Sequence, residues 1–293
     1  MTVSGKTFAA AAASNPVAAR PRSARGVTII PDPASGPRLV LIPRLAAGGR
    51  WRVEAMRSLR EPLLLWFTQG AGRVTIGGTT RGYGAHNAVF IPAGTMHGFE
   101  MTGRVFGTAI FFGRDHGLPL PEQPHHLRVR ETAAQQEIGL ILDAATRELE
   151  AGRPGAERAA RHYLGLLGVW LDRQITLAEG ESRPAPDASR RLAERYARLL
   201  ERNFNSAMGV ADFAAALGVT PTHLTRACKA ASGRSAHELL QDRVLFEARR
   251  LLAETNLPVK QVAAHLGFGS AAYFTRSFHA RTGQTPSDFR RKH

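Results

Sequence analysis

The spacing of apolar and polar positions divides this chain into three stretches. Between residues 27 and 112, apolar residues come in short alternating or continuous runs: Val27–Ile30, Leu39–Ile42, Trp51–Met56, Leu63–Thr68, Arg73–Ile76, Ala88–Ile91 and Val105–Phe112. The runs are rich in Val, Ile, Phe and Trp, and Gly70, Gly72, Gly82, Gly84, Pro92, Gly94 and Gly103 separate them. Branched and aromatic side chains pack well on a pleated surface, whereas glycine and proline interrupt it. The spacing therefore predicts many short strands in a sandwich or small barrel. Gly77-Gly78, between Val74-Thr75-Ile76 and Thr79-Thr80-Arg81, predicts a two-residue hairpin turn.

Residues 131–178 change to a helical period. Ile138, Leu140, Ile141, Leu142, Ala145 and Leu149 recur at helical spacing. Ala159, Tyr163, Leu166, Leu167, Trp170, Leu171 and Ile175 do so again after the break at Ala151-Gly152-Arg153-Pro154-Gly155. This predicts an antiparallel helical hairpin, whose wide apolar face either covers the strands or carries a dimer interface. Residues 179–188 are polar, hold two prolines and read as a linker. Residues 189–293 read as all-α. Residues 1–26 carry Pro16, Pro21, Arg20, Arg22 and Arg25 without periodicity and read as a flexible tail; the run Phe8–Ala13 is too short and too weakly apolar for a secretory signal.

Charge sharpens this division. The 293 residues carry 39 Lys+Arg against 24 Asp+Glu, a formal net charge of +15. Such a surplus suits an anionic partner: nucleic acid, a membrane surface or a phosphorylated ligand. Only Lys6, Lys229, Lys260 and Lys292 are lysines, and an arginine-rich composition is also the mark of a GC-rich genome. The distribution separates the two explanations. Residues 189–293 hold seventeen basic and eight acidic residues, a surplus of +9, while the remaining +6 is spread over the first 188 positions. Genome bias acts on the whole chain and does not explain that asymmetry. Hydrophobic residues make up 43%, enough to bury real cores, and no run of ~18 apolar residues is present to span a membrane. The single cysteine, Cys228, forms no intramolecular disulfide and fits a reducing cytoplasm.

The basic stretch repeats itself. Val210-Ala-Asp-Phe-Ala-Ala-Ala-Leu-Gly218 aligns with Val259-Lys-Gln-Val-Ala-Ala-His-Leu-Gly267, and Leu224-Thr225-Arg226 with Phe274-Thr275-Arg276. Each copy has the logic of a helix-turn-helix. A short helix carries small residues where a second must approach (Ala214-Ala215, Ala263-Ala264). It stops at Leu-Gly, where glycine permits a left-handed turn, and Thr220 or Ser270 then caps the next helix. In the first copy that helix places Leu224, Ala227, Cys228 and Ala231 on one stripe, and Thr222, Thr225, Arg226 and Lys229 on the other. In the second, Phe274 and Phe278 point inward, and Ala272, Tyr273 and Arg276, with His279 or Ala280, point outward. Arginine can donate two hydrogen bonds to guanine, and threonine can bond base edges or touch the thymine methyl, so such faces suit the major groove. Ser235–Glu254 reads as one helix between the copies, with Ala236, Leu239, Leu240, Val244, Leu245, Ala248, Leu251 and Leu252 as its apolar face. Its length of roughly 30 Å is near the ~34 Å of one DNA turn, so this rod can hold two reading helices in successive major grooves.

The segment Gly267-Phe-Gly-Ser270-Ala-Ala-Tyr273-Phe274-Thr-Arg276-Ser-Phe278-His-Ala-Arg-Thr-Gly283-Gln-Thr285-Pro286-Ser-Asp-Phe289-Arg290, with Ala248-Arg249-Arg250-Leu251-Leu252 upstream, resembles the signature of the AraC/XylS family of bacterial transcription regulators. The resemblance covers residues 189–292. It implies seven helices with two helix-turn-helix units, and regulation of transcription, more often activation, through a double-stranded DNA operator and RNA polymerase. By this resemblance Thr222, Thr225, Arg226 and Lys229 read DNA from the first copy, and Ala272, Tyr273 and Arg276 from the second, where Ala272 has no polar reach. Thr220, Ser270, Arg243, Arg249, Arg281 and Arg290 are candidates for phosphate contacts, the arginines equally for plain surface charge.

In this family a cupin-type sensory and dimerisation domain precedes the helices. Here Arg73-Val-Thr-Ile-Gly-Gly78, followed by Phe90-Ile-Pro-Ala-Gly94-Thr-Met-His97-Gly-Phe99, resembles the second half of a cupin. The first half departs: Trp51–Arg60 lacks the two histidines usual there, and His86-Asn87 stands where Gly-Asp is usual. Only His97 sits at a ligand position, whereas a mononuclear metal site needs about three protein ligands. No metal or other cofactor is expected, and His97 reads as a pocket or core histidine. Trp51, Trp66, Phe90 and His97 are the candidates for an effector pocket, with filled barrel core as the alternative.

The expected architecture is thus two domains. Residues 27–178 form an all-β cupin-like barrel plus the helical hairpin 131–178, for effector sensing or homodimer formation, and residues 189–293 form an all-α DNA-binding domain. The expected function is a cytoplasmic, sequence-specific regulator on the bacterial nucleoid, with no membrane partner. No enzyme is expected, because no Walker loop, paired-carboxylate or nucleophile motif is present. The alternatives are a cupin-type metalloenzyme fused to a DNA-binding module and a nucleoid-binding protein without sequence preference.

Overall fold

Leu63-Leu-Leu-Trp-Phe67 is apolar at every position, as in a strand covered on both faces. The computed structural model shows that covering. It describes residues 36–46, 49–179 and 187–293; the expected tail 1–26, the run Val27–Ile30 and residues 180–186 of the expected linker lie outside the described residues. The elements are β1 (Arg38–Leu41), α1 (Ile42–Leu45), α2 (Trp51–Glu54), β2 (Leu63–Ile76), β3 (Thr79–Tyr83), β4 (Asn87–Ile91), β5 (His97–Phe111) and β6 (His125–Arg128). The strands make one antiparallel sheet in the order β1-β5-β2-β4-β6, with β3 on β2. The β2–β3 turn has positive φ at both Gly77 (55°) and Gly78 (79°), the conformation a two-residue hairpin favours. Register shifts around Gln69 break β2, so its first half pairs with β4 and its second with β3 while β5 follows both. Such bulges raise the local twist, and the sheet curls around one interior.

Alternation assigns the faces. Leu63, Leu65, Phe67, Val89, Ile91, Ala109 and Phe111 point into the curl with Val74, Tyr83, Phe99 and Val105, and Phe67 stacks on Tyr83 at 3.9 Å. Leu64, Trp66, Ala88, Phe90 and Ile110 point the other way, against the hairpin α3 (Thr132–Ala151) and α4 (Ala156–Glu179). Trp170 of α4 seals that layer: its ring lies 6.1 Å from Trp66 and its indole N–H donates to the Ala134 carbonyl at 3.0 Å.

Two strand expectations shift. Trp51–Met56 is not a strand; Trp51–Glu54 makes one helical turn, and beyond it Arg57 bridges His97 of β5. Four residues of alternation do not separate a strand from a helical turn, and here Val53 is drawn into the curl while Trp51 is drawn toward the helices downstream. Val105–Phe112 is the end of a strand that begins at His97.

The C-terminal region is seven helices: α5 (Ala188–Asn203), α6 (Val210–Ala216), α7 (Pro221–Ser232), α8 (Ala236–Glu254), α9 (Val259–His265), α10 (Ala271–Thr282) and α11 (Pro286–Lys292). They build two cores. Tyr196, Phe213, Leu224, Leu239 and Leu240 lie in the first; Leu251, Leu252, Phe274, Phe278 and Phe289 lie in the second. α8 belongs to both, and Ser235 and Glu238 close a capping box at its start. Its middle buries Arg243, which is 4% exposed. Arg243 donates to Glu201 of α5 at 2.7 and 2.9 Å and to Glu247 at 3.1 Å, and its guanidinium lies 3.7 Å from the Phe204 ring centroid. This corrects the expectation of a phosphate contact: the charge ties α5 to α8 and is withdrawn from the surface.

The sheet and the helices pack on each other within one unit, Pro33–His293. Met56 and Met96 enter the first helical core. Trp51 lies 5.7 Å from Phe246 and 5.8 Å from Phe289. Glu100 of β5 pairs with Arg234 at 2.9 Å, and Arg52 with Glu254 at 3.2 Å.

Breaking a buried ion pair strands its partners, so Arg243→Ala is expected to lower stability by about 3–5 kcal/mol in urea unfolding of the full chain. A loss under ~1 kcal/mol would show that Arg243 does not tie α5 to α8.

Candidate nucleic-acid interface

Both helix-turn-helix units are made from the same local bonds. In the first, Gly218 (φ 72°) donates to Ala215 O and Val219 to Ala214 O, both at 3.0 Å. In the second, Gly267 (φ 78°) donates to Ala264 O at 3.2 Å and Phe268 to Ala263 O at 3.0 Å. Each is a left-handed glycine stop that satisfies the last carbonyls of the short helix. A Cβ at Gly267 would also lie 2.8 Å from the backbone oxygens of Asn205 and Ser206, so the second turn seats against the α5–α6 connection only as glycine. The next helix begins in each copy with a hydroxyl cap: Thr220 accepts from His223 N–H and Ser270 from Tyr273 N–H, both at 3.2 Å. Each ends at a left-handed glycine, Gly233 (φ 75°) or Gly283 (φ 71°).

The two faces separate as their spacing requires. Leu224, Ala227, Cys228 and Ala231 of α7 are buried, while Thr222, Arg226 and Lys229 are exposed and Thr225 is half-buried. In α10, Phe274 and Phe278 are buried and Ala272, Tyr273, Arg276, His279 and Ala280 are exposed. Each helix thus offers one exposed arginine two turns or less from its capped start, beside small or hydroxyl-bearing neighbours.

The remaining basic candidates divide. Arg281 is exposed on α10. Arg290 donates to Leu252 O at 3.2 Å and Leu257 O at 2.6 Å, so it closes the chain beyond α8. Arg249 is half-buried with its guanidinium 5.7 Å from the Trp51 ring. Both are occupied with packing.

The four effector-pocket candidates do not converge. Trp51 packs on α8 and α11, and Trp66 and Phe90 lie in the layer under the hairpin. His97 faces elsewhere, beside Arg57: the two exchange backbone hydrogen bonds at 2.8 and 2.7 Å, an arrangement that puts both side chains on one face. Burial and the charge of Arg57 push the His97 imidazole down to about 3, so it is neutral at pH 7. Its Nδ1 lies 2.8 Å from Thr95 O, which fixes the proton there and leaves Nε2 bare. Cys228 is inert by the same logic, since burial raises its thiol to about 12. Among the described residues no group of three His, Cys, Asp or Glu side chains is placed to hold a metal ion, and no helix is long and apolar enough to cross a membrane.

This geometry defines a duplicated helix-turn-helix domain. Residues 213–292 match the family model described as a helix-turn-helix domain. The chain is 35% identical over 91 residues to the uncharacterized HTH-type transcriptional regulator YfiF of Bacillus subtilis, covering 31% of this chain and 29% of that protein. It is 28% identical over 142 residues to the arabinose operon regulatory protein of Salmonella typhimurium, covering 48% and 50%. Among solved structures it resembles ToxT from Vibrio cholerae with a TM-score of 0.39 and 12% identity, over 87% of this chain and 97% of that one. Residues 213–292 are therefore a helix-turn-helix domain. The chain spans half or less of the length of these curated relatives.

A histidine held neutral in the fold gains a proton more readily when unfolded, so its burial stabilises fully above about pH 6.5 and less as pH falls toward 3. Stability measured by urea unfolding is expected to fall across that window by up to about 1.4 kcal/mol per pH unit from this group, and His97→Gln to flatten the dependence. An identical pH profile in the variant would contradict the buried, neutral assignment.

Proposed function

We propose that this chain is a sequence-specific DNA-binding regulator of transcription, with α7 and α10 entering successive major grooves. The observation that carries this reading is the duplication itself: two reading helices, capped and stopped by the same bonds, exposed on their polar faces and joined by one rigid helix about 28 Å long. Arg226 and Arg276 read bases, Thr222, Thr225, Lys229 and Tyr273 flank them, and Ala272 contributes contact without polar readout. Thr220, Ser270 and Arg281 lie at the phosphates. Activation through RNA polymerase is the mode assigned, as the family resemblance of residues 189–292 implies.

The N-terminal sheet and hairpin serve sensing and self-association. Leu140 of α3 and Leu166, Val169 and Leu177 of α4 are exposed large apolar residues on the outer face of the hairpin. Exposed apolar side chains on both helices of the hairpin suit a protein contact, and a second copy of this chain is the partner proposed. No catalytic role is assigned.

Arg226→Ala and Arg276→Ala are each expected to weaken binding to a selected operator by about 1–3 kcal/mol while leaving affinity for random DNA nearly unchanged. Unchanged operator protection in footprints of both variants would refute the assignment of the reading residues.

A further inference from the structure

The outer face of α5 is a row of arginines. Arg191, Arg195, Arg198 and Arg202 recur at intervals of four, three and four, which puts them on one side of the helix, and all four are exposed. The opposite side carries Ala193, Tyr196 and Leu200 into the first helical core. The two glutamates of α5 do not offset the row. Glu201 is taken up by Arg243, at 2.7 and 2.9 Å, and Glu194 sits toward the β2–β3 turn, where a Cβ on Gly77 would lie 4.0 Å from its Cγ. Among the described residues Arg195, Arg198 and Arg202 make no ion pair, whereas the exposed Arg153, Arg161 and Arg173 of the hairpin each pair with a glutamate. Like charges three and four residues apart repel, so such a row gains when an anion lies along it.

The row borders the first helix-turn-helix turn. Arg195 Nη2 donates to Leu217 O at 3.4 Å, and Leu217 closes α6 three residues before Thr220, the cap of α7. From Arg191 to Arg202 the row spans about 16 Å. Duplex DNA carries one phosphate charge per ~1.7 Å of its axis, so the two match in form as well as in sign. We propose that this face of α5 is a further DNA-contacting surface, which holds the phosphates of the duplex flanking the groove entered by α7. The inference rests on the regulator reading above and deepens it: α7 and α10 select the site, and α5 lengthens the footprint on the α7 side without reading sequence. DNA is favoured over an acidic protein as the occupant because a duplex seated at Thr220 runs beside Arg195.

The test uses the full chain and the operator it selects from random duplexes. Affinity is measured on the minimal duplex and with about ten base pairs of arbitrary sequence added on the α7 side or the α10 side, the α7 side being the half whose protection Arg226→Ala weakens. The α7-side extension is expected to tighten binding by about tenfold at low salt whatever its sequence, and the α10-side extension to leave it unchanged. Arg195→Gln, Arg198→Gln and Arg202→Gln together are expected to abolish that gain. On the extended duplex they are expected to lower the slope of log affinity against log salt by about 2–3, at roughly 0.9 per phosphate contact, and on the minimal duplex to leave it unchanged. Without DNA the triple variant is expected to melt no lower than the native chain, because repulsion along the row is removed. Should it fail to fold, Arg198→Gln with Arg202→Gln decides, with a fall in slope of about 2. No gain from the α7-side extension, an equal gain on the α10 side, or a full gain in the variant would overturn the surface; the last is the result if the row serves an acidic protein. Preference of the native chain for the minimal operator over random duplex, scored separately, distinguishes failure of this surface from failure of the regulator reading.

Discussion

The placement of α7 and α10 rests on α8 being a single unbroken helix that belongs to two hydrophobic cores. Leu239 and Leu240 pack it into the first unit, and Leu251 and Leu252 into the second. Between them Arg243 carries a charge into the interior and is neutralised from two sides, by Glu247 on its own helix and Glu201 on α5. Replacing the network with apolar residues could leave the fold as stable, but removing one member strands the others. The network fixes α5 against α8, and with it the orientation of α7, which packs on both.

The sheet is not a passive neighbour of this arrangement. It touches the first unit through Met56, Met96 and the Glu100–Arg234 pair, and the second through Trp51 against Phe289 and Arg52 against Glu254. These contacts lie on both sides of the α8 midpoint. The sheet is thus joined to both units by short, packed contacts. The exposed pairs at this seam are weak individually and screened by salt, whereas the Trp51 contact is apolar and is not.

Much of the helical region was legible because its signals are local. Leu217-Gly218 and Leu266-Gly267 followed by Thr220 and Ser270 are stop and start chemistry within a few residues, and the structure uses them as written. Arg243 was not legible, because its partner Glu201 is 42 residues away and an apolar pattern says nothing of a buried ion pair. The aromatic candidates failed to converge for a similar reason. Strand register places Leu64 opposite Phe90 and Trp66 opposite Ala88, so Trp66 and Phe90 share the hairpin face while His97 lies on another. Trp51 left the sheet altogether. Arg57, an arginine in a polar stretch, carried no signal distinguishing it from a surface charge; only its bridge to His97 reveals the burial.

The proposal still to be tested is the rigid hold of α8 on α7 and α10, one groove apart on one face of DNA. It is tested most directly by selecting a high-affinity site from random duplexes and inserting about five base pairs, half a helical turn, between the two contacted grooves. Affinity is expected to fall to the level of random DNA, and an insertion of about ten base pairs is expected not to restore it, because the rod cannot lengthen. Retention of affinity with either insertion would contradict a rigid coupling of the two units.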